Sequence, residues 1–527
     1  MTQIYDTTLR DGAQAEGITF SLDDKIKIVN LLDDLGISWI EAGNPGANPK
    51  DEQFFKVMKN MPELRHAKLA AFGSTIKPYT QAVDDKALEK LSNSFSAVKV
   101  IFGKSWSFHV DHILHCTKEE NLRIIYESVQ YLKSHGNTVW FDAEHFFDGY
   151  TEDHEYAFMT IRSAIEAGAS RITLCDTNGA TLPERIADIV KEVRSVFNIP
   201  VAIHCHNDCG LATACSLSAV HSGCDMIQGT IGGIGERCGN ADLCTIIPLL
   251  EIRLDDHCIP VENLQKITDT YHTAAEIMNI VPAGNAPFVG RSAFSHKGGM
   301  HIDAVMKAAS AYEQIKPEDV GNQRRFLISD QTGRAGVYAK LGKVLPDLTP
   351  DSDKMRSVIN RLKEREAEGY TYENADGSFA LLALDTLGRR PRYYEVVDYH
   401  VLCSSAGNKN PQETRPAQAY LKVTVNGKNA INAAEGEGPV NALDIALRKT
   451  LSEFYPCLNE MKLKDFKVRV LNSEGTASKV RVSIESAFSS NIWNTVGVSE
   501  DIITACMIAL VDSVDYMLTY FSTEITK

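Results

Sequence analysis

Short apolar runs alternate with amphipathic helical segments along the first 255 residues of the chain. In DDKIKIVNLLDDLG, for example, Ile26, Val29 and Leu32 recur at helical spacing before Gly36 ends the pattern. The apolar runs that predict strands are IYDTT (4–8), WIEAG (39–43), KLAAFG (68–73), AVKVIFG (97–103), TVWFDAE (138–144), RITLCDT (171–177), VAIHCH (201–206) and MIQGTI (226–231).

Strands that alternate with helices at intervals of roughly thirty residues indicate parallel βαβ units. An open doubly wound sheet is one α/β arrangement of such units, but a count of eight strands favours a (β/α)8 TIM barrel. In that fold the functional side chains lie at the carboxyl ends of several strands. The polar residues at or just after predicted strand ends are Arg10, Asp11, Glu41, Asn44, Glu144, Asp176, Thr177, His204, His206 and Asn240.

The pentapeptide HCHND contains the strongest candidate metal ligands. Side chains alternate between the two faces of a strand, so His204 and His206 point the same way, about 7 Å apart. For an isolated pair, two hydrogen-bonded histidines under a loop would be the better interpretation. Here the pair ends the seventh strand of a barrel whose first strand is followed by Asp11. Two nitrogens and a carboxylate suit Mg²⁺, Mn²⁺ or Zn²⁺ with open water positions.

The glycine-rich loop GTIGGIGERCGNADL follows the last predicted strand. It lacks the spacing G-x-G-x-x-G and does not follow the first strand of a βαβ unit, so it does not indicate a dinucleotide site. Its glycines would instead allow the loop to fold tightly over the site and present Asn240 to the metal.

The overall composition excludes several classes of function. The chain has 527 residues and a net charge of −15, which argues against binding of nucleic acid or of an anionic membrane. No apolar signal segment precedes Asp6, and the run IITACMIALV, between Asp501 and Asp512, is too short to span a bilayer. Twelve cysteines without a C-x-x-C pair indicate reduced thiols in a cytoplasmic protein.

The pattern changes from about Tyr394 onward. AQAYLKVTVNG and FKVRVLN alternate like antiparallel strands, and a weak repeat places a helix after each group of strands. The two helices are expected to begin at Pro439 and at Ser499. This predicts a two-fold βββα module for dimerisation or regulation. The predicted fold class is therefore α/β, a (β/α)8 TIM barrel (1–275), followed by linker subdomains (276–393), with a charged helix and turn at 361–377, and an α+β regulatory domain (394–527).

DTTLRDG, HCHND and GGIGERCGN occur in this order, and with them the chain resembles the family of 2-isopropylmalate, homocitrate and citramalate synthases. The resemblance implies that Asp11, His204, His206 and Asn240 bind a divalent metal, with Mg²⁺ or Mn²⁺ favoured over Zn²⁺. It implies that Arg10 stabilises charge on the substrate oxygen and that Thr177 binds the carboxylate of a 2-oxo acid. Glu144 would then be the base that deprotonates acetyl-CoA, although pairing with an arginine at a strand end is its structural alternative.

The segments AFSHKGGMHIDAV and YEQIKPEDVGNQR resemble the part of these enzymes that covers the active site of a partner subunit. His301 and Tyr312 match the residues that reach the neighbouring site, and the G-M-H context favours His301 over His296. A homodimer is therefore expected. The last domain resembles one that binds an end-product amino acid, here isoleucine or leucine, although a purely structural dimerisation domain is the alternative.

The segments FDAEHFFDGY and EAGNPGANPKD resemble the branch of the family that uses pyruvate. The expected reaction is acetyl-CoA, pyruvate and water to (R)-citramalate and CoA, the first step of an isoleucine pathway. Asn44, Phe72 and Phe102 are expected to surround the methyl group of the acceptor. 2-Oxoisovalerate and then the homocitrate synthase acceptor are the alternative substrates. A metal-dependent acyl-CoA lyase would explain only the barrel. A non-catalytic amino-acid-binding regulator would explain only the last domain.

Overall fold

A computed structural model describes residues 1–328, 333–342, 345, 347–349, 351–404, 416–471, 478–489 and 491–521. The first part of the chain forms a closed barrel of eight strands in sequential order, each parallel to its neighbours. The TIM barrel is thus confirmed, and the open sheet is wrong, because β8 pairs with β1 along its length. The strands are β1 (Gln3–Asp6), β2 (Trp39–Glu41), β3 (Lys68–Ser74), β4 (Val98–Lys104), β5 (Val139–Glu144), β6 (Ile172–Asp176), β7 (Val201–Cys205) and β8 (Met226–Gly229).

Helices follow the barrel strands in the predicted alternation. The first begins at a Ser21 cap whose side chain exchanges hydrogen bonds with Asp24, and it ends at Gly36 with a φ of 100°. Its buried face carries Ile28, Val29 and Leu32. The helices from Met1 to the end of the barrel are α1 (Leu22–Leu35), α2 (Pro49–Met58), α3 (Lys86–Asn93), α4 (Ser107–His109), α5 (Lys118–Ser134), α6 (Phe146–Glu152), α7 (His154–Glu166), α8 (Pro183–Val196), α9 (Ala212–His221), α10 (Leu243–Arg253) and α11 (Ile267–Ile277).

Successive barrel residues alternate between two separate apolar clusters. Tyr5, Val100 and Trp140 belong to a small cluster, whereas their strand neighbours Ile4 and Ile101 pack in the large cluster with the helices. This alternation follows from the two-residue period of a strand. It also directs every second side chain near a strand end toward the barrel mouth.

The chain divides into two compact units. The first contains Met1–Phe294 and Ile315–Gln323, and the second contains Ser295–Gln314 and Arg324–Lys527. The segment predicted as linker, 276–393, therefore contributes to both units. The boundaries at 275 and 393 remain predictions about functional segments.

The second unit contains two three-stranded antiparallel sheets, each followed by a helix. The two-fold βββα arrangement is thus confirmed. Val480 pairs with Ser499 in the second sheet, so Ser499 ends a strand, and the prediction that it begins a helix is wrong. Asp501 caps that helix by accepting a hydrogen bond from the Thr504 amide. The elements of this unit are β9 (Ser295–His296), α12 (Gly299–Lys307), β10 (Arg325–Phe326), α13 (Arg334–Leu341), α14 (Asp353–Ala367), α15 (Asp376–Thr386), β11 (Glu395–Leu402), β12 (Ala417–Val425), β13 (Lys428–Gly436), α16 (Pro439–Ser452), β14 (Lys462–Val470), β15 (Val480–Phe488), β16 (Asn491–Ser499) and α17 (Ile502–Tyr520).

The predicted helix and turn at 361–377 are present as the second half of α14 and the chain that leads into α15. The apolar run near the carboxyl end belongs to a longer helix than expected. Among the described residues, α17 is the one helix long and apolar enough to span a bilayer, and 56% of its most apolar stretch is buried. It packs with the sheet residues Val482 and Ile484 in a shared core.

Candidate active site

A cavity of about 200 Å³ lies at the carboxyl ends of the barrel strands. It brings together most of the site residues predicted from the sequence. Those lining it are Arg10, Asp11, Phe72, Phe102, Glu144, Thr177, His204 and His206. The strands deliver them from six positions around the barrel, as the fold requires.

Asp11, His204 and His206 converge on one point of this cavity. The two histidine Nε2 atoms are 3.3 Å apart, and Asp11 Oδ2 lies 3.3 Å from His204 Nε2 and 4.0 Å from His206 Nε2. All three side chains are buried, and their ligand atoms lie within 4.8 Å of one another. Two imidazole nitrogens and a carboxylate at such spacing suit one divalent ion.

Asn240 reaches the same region through its backbone, which pairs with His206 in an isolated antiparallel bridge. Its Nδ2 donates to the Ile234 carbonyl at 3.0 Å, which fixes the orientation of the amide. Gly235, with a φ of 158°, lies so close that a Cβ would stand 2.1 Å from Asn240 Nδ2. The glycine therefore makes room for the amide that the sequence predicts as a ligand.

Two of the predicted metal ligands have an unpartnered oxygen. Asp11 Oδ1 and Asn240 Oδ1 are buried and have no hydrogen-bond partner within the described part of the chain. Buried polar atoms are rarely left without partners in proteins. These two oxygens, with the converging Nε2 atoms of His204 and His206, fit a bound divalent ion better than a purely structural cluster.

The charges around these ligands favour the protonation states that a metal needs. Burial would raise the pKa of Asp11, but the neighbouring Arg10 guanidinium and the hydrogen bond to His204 hold it well below its ordinary value. Burial, together with the nearby His204, lowers the pKa of His206 to about 4. A carboxylate and a neutral imidazole are the forms that bind metal at neutral pH.

Arg10 is held rigidly beside the metal ligands. Its Nη1 lies 3.2 Å from Asp11 Oδ2, and its Nε donates to Glu41, which also accepts a 2.7 Å hydrogen bond from the Tyr5 hydroxyl. The guanidinium carbon stands 3.9 Å from the centroid of the Phe72 ring. Phe72 in turn stacks on Phe102 at 5.3 Å, so a cation and an apolar wall meet in the cavity.

Glu144 forms an ion pair with Lys104, its direct register partner on the neighbouring strand. The structural alternative predicted from the sequence paired Glu144 with an arginine, whereas its partner in the structure is a lysine.

Thr177 accepts a 2.8 Å hydrogen bond from the His145 amide through its hydroxyl oxygen. Its hydroxyl proton therefore remains free to be directed at a ligand in the cavity.

Four predicted site residues do not line this cavity, namely Asn44, His301, Tyr312 and Asn240, whose position beside His206 is described above. Asn44 Oδ1 accepts hydrogen bonds from the Gly46 and Ala47 amides, so its side chain closes its own loop and does not line the cavity. His301 and Tyr312 belong to the second unit, with ring centroids 4.3 Å apart. His296 Nε2 lies 3.0 Å from Glu313, so that histidine already has a carboxylate partner. The role of His301 and Tyr312 in a partner's site stays a prediction.

The cavity also contains residues that the sequence analysis did not identify, namely Gln14, Asp142, Cys175, Glu236 and Arg237. Asp142 is buried, and burial, with the nearby charge of Glu41, raises its pKa to about 6. It precedes Glu144 by two residues on the same strand face, so strand periodicity was the signal that could have found it.

Comparisons with known proteins match nearly the whole length of the chain. The HMGL-like family matches residues 1–273, a domain described as homocitrate synthase post-HMGL domain-like matches 288–369, and the LeuA allosteric (dimerisation) domain matches 373–518. An (R)-citramalate synthase of Aquifex aeolicus is 48% identical over 98% of this chain and 97% of its own length. Similar proteins of the same name from Geobacter sulfurreducens and Synechocystis are 45% and 44% identical, over 98% and 99% of this chain and 98% and 97% of their own lengths.

Proposed function

This chain belongs to the HMGL-like family and, within it, to the (R)-citramalate synthases, and from that premise we propose that it condenses acetyl-CoA with pyruvate. The products are (R)-citramalate and CoA, with one water consumed. The observation that carries the proposal is the convergence of Asp11, His204 and His206 beside Arg10 and an apolar wall. An acceptor with a small apolar group and adjacent oxygens fits such a cavity.

We propose that Asp11, His204, His206 and Asn240 hold the divalent metal, with Mg²⁺ or Mn²⁺ preferred and Zn²⁺ the alternative. A divalent ion bound there would act as a Lewis acid toward the 2-oxo group. The convergence of the Asp11, His204 and His206 ligand atoms and the unpartnered buried oxygens of Asp11 and Asn240 support this assignment.

The protein groups around the ion have separate proposed tasks. Arg10, fixed by Glu41, places positive charge where negative charge develops on the acceptor oxygen. The Thr177 hydroxyl donates to the acceptor carboxylate. The Glu144 carboxylate removes a proton from the methyl group of acetyl-CoA, and the resulting carbanion equivalent forms the new carbon–carbon bond. Phe72 and Phe102 pack against the acceptor methyl group.

We propose that the working enzyme is a cytoplasmic homodimer in which His301 and Tyr312 of a second copy complete the site. We also propose that the enzyme is regulated by an amino acid, with isoleucine the first candidate and leucine the second. The match of the carboxyl-terminal residues to the LeuA allosteric (dimerisation) domain supports both proposals. An isoleucine effector would fit an enzyme at the first step of isoleucine synthesis.

The acceptor profile tests the main proposal. CoA release should have its highest kcat/KM with pyruvate, a lower value with 2-oxobutyrate, and the lowest values with 2-oxoisovalerate and 2-oxoglutarate. Each extra methylene in an apolar pocket changes binding by about 1–3 kcal/mol, so the aromatic wall formed by Phe72 and Phe102 must exclude branched groups sterically. The rates are measured with a thiol reagent for free CoA.

The same assay contains its controls. Chelation by EDTA should stop CoA release, and added Mg²⁺ or Mn²⁺ should restore it. A higher kcat/KM for 2-oxoisovalerate than for pyruvate would assign the chain to 2-isopropylmalate synthesis. Cleavage of an acyl-CoA without any pyruvate-dependent release would favour the lyase alternative.

A further inference from the structure

Two charged residues in the signature motifs have no role in the proposed chemistry, yet they bind each other. Asp208 belongs to HCHND and Arg237 to GERCGN. Arg237 Nε donates to Asp208 Oδ1 at 2.8 Å, and Nη2 donates to Oδ2 at 3.0 Å. Two parallel charge-assisted bonds of this kind fix the orientation as well as the distance of both partners.

The same guanidinium reaches a third loop. Arg237 Nη2 also donates to the Thr177 carbonyl at 2.8 Å. Arg237 therefore joins the segments that follow β6, β7 and β8, which carry the predicted carboxylate-binding Thr177 and two of the predicted metal ligands, His206 and Asn240. Gly179, with a φ of 62°, allows this approach, because a Cβ there would stand 2.7 Å from Asp208 Oδ2.

The loop that carries Arg237 is held in a strained shape. Arg237 itself has a φ of 56°, which is unusual for a residue other than glycine. Such a backbone persists only where its surroundings enforce it. This loop ends at Asn240. The Gly239 carbonyl, one residue before Asn240, accepts a 2.9 Å hydrogen bond from the amide of Asn207, the residue after His206.

We infer that Arg237 and Asp208 form a positioning clamp that sets Asn240 for the metal and the Thr177 segment for the substrate carboxylate. Nε and Nη2 of Arg237 donate to Asp208 and to the Thr177 carbonyl, and in this inference Arg237 acts through the loops that these bonds join. The inference rests on the proposed function for the identity of the metal and of the carboxylate. Its consequence is that breaking one ion pair weakens metal binding and 2-oxo acid binding together.

The test measures the affinity of the full-length protein for Mn²⁺ alone, by calorimetry, in Arg237→Met, Asp208→Asn and the double variant. Each single variant should bind Mn²⁺ about 10–100-fold more weakly, as loss of a group that orients metal ligands typically does. The double variant should match the weaker single variant, because the two residues act as one pair. In turnover assays, KM for pyruvate should rise about tenfold, whereas KM for acetyl-CoA should stay within a factor of about two of the wild-type value.

The matched control is Arg389→Met. Arg389 also makes two hydrogen bonds to one carboxylate, from Nη1 and Nη2 to Asp347 at 2.9 and 2.7 Å, and it is similarly exposed on the second unit. This variant should bind Mn²⁺ as the wild type does. Thermal unfolding identifies any variant that is not folded, and Asp208→Asn preserves the size of the side chain.

Two results would overturn the clamp. One is a folded Arg237→Met or Asp208→Asn protein whose Mn²⁺ affinity is within twofold of the wild type. The other is a double variant whose loss equals the product of the two single losses. Failure of the proposed function has a different signature, since wild-type protein would then bind Mn²⁺ but release no CoA with pyruvate.

Discussion

Among single residues, Glu144 offers the most direct test of the chemistry. Its carboxylate lines the cavity and pairs with Lys104 on the adjacent strand. Glu144→Gln should slow exchange of the acetyl-CoA methyl protons about 10²–10⁴-fold, because the amide cannot accept the proton. Pyruvate binding should change little, since the metal ligands and Arg10 remain. The exchange rate is followed by NMR in D₂O.

Glu52→Gln is the matched control for this substitution. Glu52 also pairs with lysines, at 2.5 Å to Lys56 and 2.9 Å to Lys90, but it does not line the cavity. Exchange at the wild-type rate is expected for this variant. The same rate in Glu144→Gln would show that the base lies elsewhere and that the Glu144–Lys104 pair is structural.

At the level of secondary-structure elements, α17 shows how a strongly apolar helix carries buried charges. Asp512 and Asp515 on this helix both accept hydrogen bonds from Arg390 Nη2, at 2.8 and 2.6 Å, and Ser378 donates to Asp512 at 2.7 Å. Burial raises the pKa of Asp515 to about 6 and raises that of Asp512 as well. The arginine therefore stabilises two carboxylates that would otherwise be costly inside the unit.

Arg390→Met should lower the free energy of unfolding by about 3 kcal/mol at pH 8, because it removes the cation that hydrogen-bonds both buried carboxylates. The pKa of Asp515 is about 6 when folded and lower when unfolded, so the folded protein binds more protons between these values. The stability contributed by this group is thus complete at low pH and is lost as the pH rises through 6. Without Arg390 this pH-dependent loss of stability should be larger. Urea unfolding should therefore show a smaller difference in unfolding free energy between Arg390→Met and the wild type at pH 5 than at pH 8.

Arg392→Met provides the comparison, since Arg392 pairs with Asp385 on the surface. Exposed pairs of this kind contribute little, so its unfolding free energy should change by less than about 1 kcal/mol at either pH. A deficit in Arg390→Met that is equal at pH 5 and pH 8 would contradict the assignment of buried charge to α17.

At the scale of the whole molecule, packing within the second unit crosses residue 394, the predicted start of the regulatory domain. α15, which precedes residue 394, packs against α17, and the Ser378 hydroxyl bonds both Asp512 and the Val496 amide. A chain cut near residue 390 would leave the buried face of α15, including Phe379 and Leu381, without its partner helix. Regulation must therefore be tested on the full chain.

Isoleucine at millimolar concentration should lower pyruvate-dependent CoA release by the full-length protein. The physical requirement is that the amino acid binds one state of the module more tightly than another and that the barrel shares that equilibrium. Leucine is the alternative effector, and alanine serves as the control that lacks the branched side chain. Unchanged activity with both branched amino acids would leave this module with a dimerisation role only.

The amino-acid sequence by itself determined the local elements and the positions of the ligands along them. Two-residue and 3.6-residue periods specify strands and helices through contacts close in sequence, and eight strand–helix units leave few ways to bury their faces. Because functional side chains of such a barrel lie at the carboxyl ends of its strands, the sequence also predicted that Asp11, His204 and His206 lie at the same end of the barrel, and they line one cavity there.

Only the tertiary structure decided which partners these residues take. Lys104 and Glu144 are far apart in the chain but stand opposite each other because β4 and β5 pair in one register. The Arg237 contacts to Asp208 and Thr177 likewise depend on three loops that meet only in the closed barrel. The Asn44 side chain accepts hydrogen bonds from amides of its own loop and does not line the cavity. Pairings of this kind depend on long-range register and loop packing, which short-range periodicity does not encode.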